Sequence, residues 1–234
     1  MNPSWNIPIL CYHHVSPSID YYTNTPPDIF ARHMRALAGR YEFWTLQRAA
    51  EAFARDEDPS GKVVVTFDDG YEDNYAYAAP LLDEVGAKAT FFVLPKFAGA
   101  DNSWNPKAHY RVPHMNWEQT RQLADAGHEI GSHGLTHRPM DTLDLHTNRE
   151  EIESSKALIE DRLGREVTTF SYPYGITRPD ITEVVEQCYR AAVSTVKSRN
   201  SHWAAGAHAL RRVYLPVTAT DSDINDIMEG KVIQ

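Results

Sequence analysis

Two periods of apolar residues alternate along the chain. Uninterrupted apolar or β-branched runs at residues 7–12, 62–67, 88–94 and 167–171 predict buried strands. Between them, apolar residues at three- and four-residue spacing predict helices. The first covers 28–40, with Phe30, Met34 and Leu37 on one face and Asp28 as its N-cap. Others cover 46–54, 74–84 (stopping near Gly86), 117–126 (capped by Asn116), 148–163 (ending at Gly164) and 179–188 (opening on Pro). Short strands are expected at 128–131, 190–193 and 212–215, and residues 98–115, which have no period, read as a long loop. Strand and helix thus alternate six or seven times, which implies a mostly parallel sheet with helices outside. Periodicity does not separate a closed barrel from an open sheet, but in both a site lies beyond the carboxyl ends of the strands. No repeat, low-complexity tract or linker interrupts residues 1–234, so one domain is expected.

Composition narrows the function classes. The hydrophobic fraction of 42% and charged fraction of 24% are those of a globular chain, not of a disordered or fibrous one. A net charge of −9 argues against nucleic acid or an anionic membrane as partner. Cys11 and Cys188 are the only cysteines, which excludes a disulfide framework and any Cys-rich metal site; Cys11 reads as a buried thiol. No apolar run approaches the ~18 residues that span a bilayer. The first residues lack a basic, then apolar, leader. The expectation is therefore a cytoplasmic protein if the chain is complete, and a secreted or cell-surface one if a leader has been removed.

Candidate chemistry gathers where polar residues follow the strands. Asp68 and Asp69 follow the run ending at Phe67. Neighbouring side chains in a strand point to opposite faces, so two adjacent carboxylates converge only where the strand has ended, and Gly70 permits such a turn. The plainer reading is a solvated Asp-Gly turn. His133 and His137 lie four apart after the short strand at 128–131, a spacing that allows one metal to bind both. Among 11 histidines a chance pair is the competing reading. Tyr172, Pro173, Tyr174 and Gly175 form a stiff aromatic turn that either lines a pocket or merely closes the sheet, and His13 and His14 cap the first strand. One carboxylate, Asp69, with two imidazoles suits Zn²⁺ with an open position for water, and tolerates Co²⁺, Ni²⁺ or Mn²⁺; Asp68 would remain free as a base.

In this order, Thr66-Phe67-Asp68-Asp69-Gly70, Ser132-His133-Gly134-Leu135-Thr136-His137 and Tyr172-Pro173-Tyr174-Gly175 resemble the polysaccharide deacetylases of the NodB-homology type, carbohydrate esterase family 4. The likeness runs from about Ile9 to Leu215. It implies a distorted (β/α)₇ barrel, a carbohydrate substrate and metal-dependent removal of an acetyl group from an N-acetylated sugar. Asp68 would be the general base, and Asp69, His133 and His137 the metal ligands. The Tyr174 N–H, in the turn with Tyr172 and Pro173, would hold the oxyanion.

The chain departs from the usual pattern in two places. Ser171 stands where an Arg normally tethers the base, and the late Leu-x-His that supplies the acid is missing. Tyr12-His13-His14-Val15 resembles the permuted subgroup that includes poly-N-acetylglucosamine deacetylases, which makes His13 the acid, with His14, His202 and His208 as fallbacks. Arg212 is the expected substitute for the missing Arg. Trp104, Tyr110, Trp117, Tyr172 and Tyr174 are candidates for sugar stacking. The alternatives are a hydrolase of another amide, such as a cyclic imide or ureide, and a non-catalytic carbohydrate-binding relative.

Overall fold

The computed structural model describes residues 5–105, 110–198, 201 and 203–231. Its strands are β1 (Ile9–Tyr12), β2 (Glu42–Trp44), β3 (Lys62–Phe67), β4 (Thr90–Val93), β5 (Glu129–Ser132), β6 (Thr169–Ser171), β7 (Ala191–Lys197) and β8 (Leu210–Arg212). The helices are α1 (Pro27–Ala38), α2 (Leu46–Ala54), α3 (Ala79–Glu84), α4 (Trp117–Asp125), α5 (Leu145–Leu163), α6 (Pro179–Cys188) and α7 (Asp221–Met228).

Seven strands pair in parallel in the order β1-β3-β4-β5-β6-β7-β8. The ring closes through a parallel bridge between Leu10 and Val213. There the Cys11 N–H reaches the Val213 carbonyl at 2.9 Å and the Val213 N–H reaches that of Ile9 at 2.7 Å. The fold is thus a distorted (β/α)₇ barrel, with β2 laid along the first half of β3 on the edge whose second half pairs β4. Two seams carry the distortion. β5 and β6 share one residue pair, Ser132 with Phe170, and the β7–β8 register slips between Val193 and Lys197.

Strand alternation sorts the side chains into two apolar clusters. Leu10, Val63, Val65, Phe67 and Phe91 pack outward with Phe30, Met34 and Ile152 of the helices. Ile9, Val64, Phe92, Val193 and Leu210 pack in the other cluster, with Trp5 and Trp203. Continuing that inward face by twos gives Cys11 and His13 on β1, Thr66 and Asp68 on β3, and Arg212 on β8. The interior is therefore apolar at its amino end and polar at its carboxyl rim.

Several boundaries differ from expectation. Asp28 is not the cap of α1: Pro26 holds that position and Asp28 lies in the first turn. The helix expected at 74–84 starts as a π-helical turn over Asn74–Ala78 before α3. α5 starts earlier, at Leu145, with Asp144 as its cap, and Asn148 instead ties the preceding turn through the Met140 and Leu143 carbonyls. The last strand is β8, with Val213 in the closing bridge, rather than residues 212–215. β2 and α7 were not anticipated. β2 is three residues with no period to read. α7 is acidic outside, with Ile224, Ile227 and Met228 buried beneath a Thr220–Asp223 capping box. The loop at 98–115 is pinned by bridges from Asp101 to Pro113 and from Tyr71 to His114.

Candidate active site

The carboxyl rim opens into a cavity of about 860 Å³, lined in part by His13, Asp68, Asp69, His133, His137 and Tyr174. The residues expected to act together are thus brought together from the ends of β1, β3, β5 and β6.

Asp68 is buried and fully tied. Arg212, 0% exposed, grips it with both arms, at 2.9 Å to Oδ1 and 2.6 Å to Oδ2. The rest of the guanidinium is also partnered: Nε donates to the Ser194 carbonyl at 2.8 Å, and the two terminal nitrogens also reach Thr66 Oγ1 at 3.1 Å and Ser171 Oγ at 3.4 Å. The slip between β7 and β8 is what leaves the Ser194 carbonyl facing Arg212. Ser171, where an Arg was missed in the sequence, donates to Asp68 Oδ1 at 3.0 Å. Burial disfavours the charged carboxylate, but the Arg212 guanidinium, together with His133 and His13, holds Asp68 well below the usual range.

Asp69, His133 and His137 form the second constellation. Both imidazole Nε2 atoms stand beside Asp69 Oδ1, at 3.3 Å for His133 and 3.2 Å for His137. That oxygen is buried and has no hydrogen-bond partner among the described residues. His133 donates its Nδ1–H to the Ser171 carbonyl at 2.7 Å, which leaves the neutral ring's Nε2 lone pair facing Asp69. A buried, unsatisfied carboxylate oxygen with two imidazole nitrogens beside it fits a divalent cation. The carbonyl behind His133 is the kind of support a ligating imidazole needs.

The backbone is bent to make this possible. Asp69, His137 and Tyr174 have φ of 71°, 59° and 57°, and Asp56 is the only other described non-glycine residue with positive φ. Gly175, at φ 68°, must be glycine, since a Cβ would sit 1.9 Å from Thr195 Oγ1.

His13 lines the cavity with Nε2 3.9 Å from Asp68 Oδ2. Burial lowers its pKa, against the pull of Asp68 and Asp69. The fallbacks lie elsewhere. His14 is buried against Asp73 at 2.7 Å and stacked on Tyr71, and His208 bonds the Tyr189 carbonyl at 2.9 Å. His202 lies outside the described residues. Tyr172 does not face the cavity as expected: its ring is fully buried and its hydroxyl donates to the His208 carbonyl at 2.8 Å. Pro173 packs toward Gly134. Trp117 packs on the outer core, whereas Trp104, Tyr110 and Tyr174 line the cavity together with Tyr21, Tyr22 and Tyr71.

Two positioning residues escaped the sequence reading. Glu151 of α5 accepts the Leu135 and Thr136 N–H groups at 3.0 and 2.8 Å, and the Thr136 hydroxyl, so it shapes the loop between the two histidines. A lone carboxylate on the buried stripe of α5, beside Ile152 and Ser155, was the available signal. His114 donates to the Asp69 carbonyl at 2.8 Å and accepts from Trp104 Nε1 at 3.0 Å, and the Trp104 ring lies 3.9 Å from that of His137. Nothing in the sequence around His114 marks that role.

The sequence profile of the polysaccharide deacetylase family matches residues 55–193, and the chain belongs to that family. YxkH of Bacillus subtilis (strain 168), whose name places it among the polysaccharide deacetylases, is 32% identical over 88% of this chain and 70% of its own length. The fold is shared with the Streptococcus pyogenes deacetylase PplD, solved in complex with acetate, at TM-score 0.85 and 21% identity over 96% of this chain and 98% of that one. It is shared too with IcaB from Ammonifex degensii, at TM-score 0.79 and 23% identity over 96% and 97% of the two chains.

Proposed function

We propose that this chain removes acetyl groups from N-acetylated sugars, with a divalent cation, Zn²⁺ by preference of the donor set, held by Asp69, His133 and His137. The observation that carries the reading is the juxtaposition of a tethered carboxylate, Asp68, with the buried Asp69–His133–His137 cluster, in which Asp69 Oδ1 is unsatisfied, on one open cavity. When bound, the cation supplies Lewis-acid polarisation of the acetamide carbonyl and of water.

The chain's own residues do the rest. Arg212 and Ser171 fix Asp68 so that one carboxylate oxygen takes the proton of the attacking water. A carboxylate held so low by Arg212 is a weak base at rest, and it gains its proton only as water becomes acidic in the site. His13, 3.9 Å from Asp68 Oδ2, takes that proton on and gives it to the leaving amine, which cannot depart as an anion. The N–H of Tyr174, on a left-handed turn at the cavity, would hold the oxyanion, a kind of contact typically worth ~3–4 kcal/mol. The products are acetate and an amino sugar, and PplD was solved with acetate bound.

Acetate release from chitooligosaccharides, β-1,6-linked oligomers, N-acetylhexosamines and sugar nucleotides is the test, before and after chelation and Zn²⁺ add-back. Chelator-sensitive release is expected, with Asp68→Asn inactive yet still binding metal and His133→Ala losing it. Full activity of either variant, or opening of a cyclic imide without acetate, would overturn the scheme.

A further inference from the structure

The proposed reaction makes no use of Cys11, yet its thiol points into the cavity beside the two groups that move protons. We propose that Cys11 Sγ, His13 Nε2 and Asp68 Oδ2 form a second cation site, selective for thiophilic divalent metals such as Zn²⁺ or Cd²⁺, next to the Asp69–His133–His137 cluster.

The fold places the three donors together. Cys11 and His13 are two apart at the end of β1 and share its inward face, and Asp68 follows β3, the parallel neighbour in which Thr66 pairs Cys11. Their ligand atoms all lie within 4.8 Å of one another. Cys11 Sγ is 3.8 Å from Asp68 Oδ2 and His13 Nε2 is 3.9 Å from the same oxygen. A tetrahedral zinc, with bonds of about 2.3 Å to sulfur and about 2.0–2.1 Å to nitrogen and oxygen, sets such donors about 3.3–3.6 Å apart. The two separations to Asp68 Oδ2 exceed that spacing by a few tenths of an ångström, and Cys11 Sγ and His13 Nε2 lie within 4.8 Å of each other. The thiol now faces the Asp68 carboxylate at 3.8 Å and the Tyr12 carbonyl at 4.0 Å.

Selectivity follows from the thiol. Cys11 is buried beside Asp68 and sulfur is a soft donor, so hard cations, which prefer oxygen, do not displace its proton. A thiophilic cation does: the S–H bond breaks, an S–metal bond forms, and the proton leaves to solvent with no change of oxidation state. The thiolate adds a second negative charge to Asp68, which already pairs Arg212, so the cluster keeps one net positive charge, while His13 binds as the neutral ring. Resting on the deacetylase reading, the consequence is inhibition. A metal here removes both proton carriers, so the first equivalent of Zn²⁺ activates and a surplus inhibits.

Cobalt titration of the full chain tests the site directly. The first equivalent of Co²⁺ should give ligand-field bands alone. A second, weaker equivalent should add a near-ultraviolet thiolate-to-cobalt charge-transfer band and release one proton. Cys11→Ser and Cys11→Ala should lose that band and the second equivalent while keeping the ligand-field bands of the first, which also reports that they fold. Cys188→Ser should keep everything. In Cys11→Ser the inhibition constant for surplus Zn²⁺ should rise by at least the roughly tenfold that loss of a supporting group costs. No charge-transfer band in the parent protein, or one that survives in Cys11→Ser, overturns the proposal. Acetate release without the band would sink this site and leave the deacetylase reading standing; the band without acetate release from any N-acetylated sugar would do the reverse.

Discussion

Arg212 illustrates how one side chain replaces another across the barrel. Its five N–H donors are all spent, two of them as a fork on Asp68. A lysine keeps the charge but not the fork. Arg212→Lys is expected to lower kcat by about 10–100-fold with little change in metal content, because a misaligned base costs rate rather than binding. Arg212→Met leaves a buried carboxylate unpaired, and urea unfolding should register a loss of about 3–5 kcal/mol. The same residue-scale logic applies to Asp69, His137 and Tyr174. Left-handed backbone at such positions costs about 1–3 kcal/mol each and persists only where neighbours enforce it. Here His114 holds the Asp69 carbonyl, Glu151 holds the loop before His137, and Gly175 turns the chain after Tyr174.

Among the elements, the loops that carry the site are set by the elements behind them. The segment from His133 to His137 has no regular structure, and its shape comes from the Glu151 carboxylate on α5, which caps two of its amides and a hydroxyl. Glu151→Gln keeps the size but loses the charge that two N–H donors need. The expected result is metal affinity lower by about 10–100-fold, read by chelator competition, with acetate release recovered at high metal. Unchanged affinity would mean that α5 merely covers this loop. The β7–β8 slip works in the same way, since a regular ladder would commit the Ser194 carbonyl to β8 and leave Arg212 Nε without a partner.

For the molecule as a whole, the barrel separates a polar rim from an apolar body that also contains titratable rings. His33 and His128 are buried, and burial lowers both to about 4 from an ordinary 6.5. Between those values the unfolded chain takes protons that the native state refuses. Stability from these rings is therefore full above about pH 6.5 and is lost as the pH falls toward 4, by about 3 kcal/mol per ring at most. A typical margin of about 5–15 kcal/mol would not absorb both comfortably. Urea midpoints should fall steeply from pH 7 to pH 5, and His128→Asn should flatten the slope; parallel profiles would remove His128 from the account. Among the described residues no helix is long and apolar enough to cross a membrane.

The alternation of apolar runs and helical stripes was enough to specify the barrel's strands and most of its helices, because each element buries a face whose period is written locally. β3, α2 and α6 emerge with the limits their patterns predict. That Asp68, Asp69, His133 and His137 gather on one cavity was also legible, since Asp68, Asp69 and His133 sit directly after strands, and parallel strands deliver their ends to one rim. What tertiary structure alone decided is everything that depends on residues far apart in the chain meeting. Arg212 reaches Asp68 across 144 positions, and His114 and Glu151 act through backbone groups of other loops. Tyr172, one residue from Pro173, turns into the core, because strand alternation carries it away from the cavity. Sequence periodicity records which side of an element is buried; it does not record which distant carbonyl, amide or carboxylate will be waiting there.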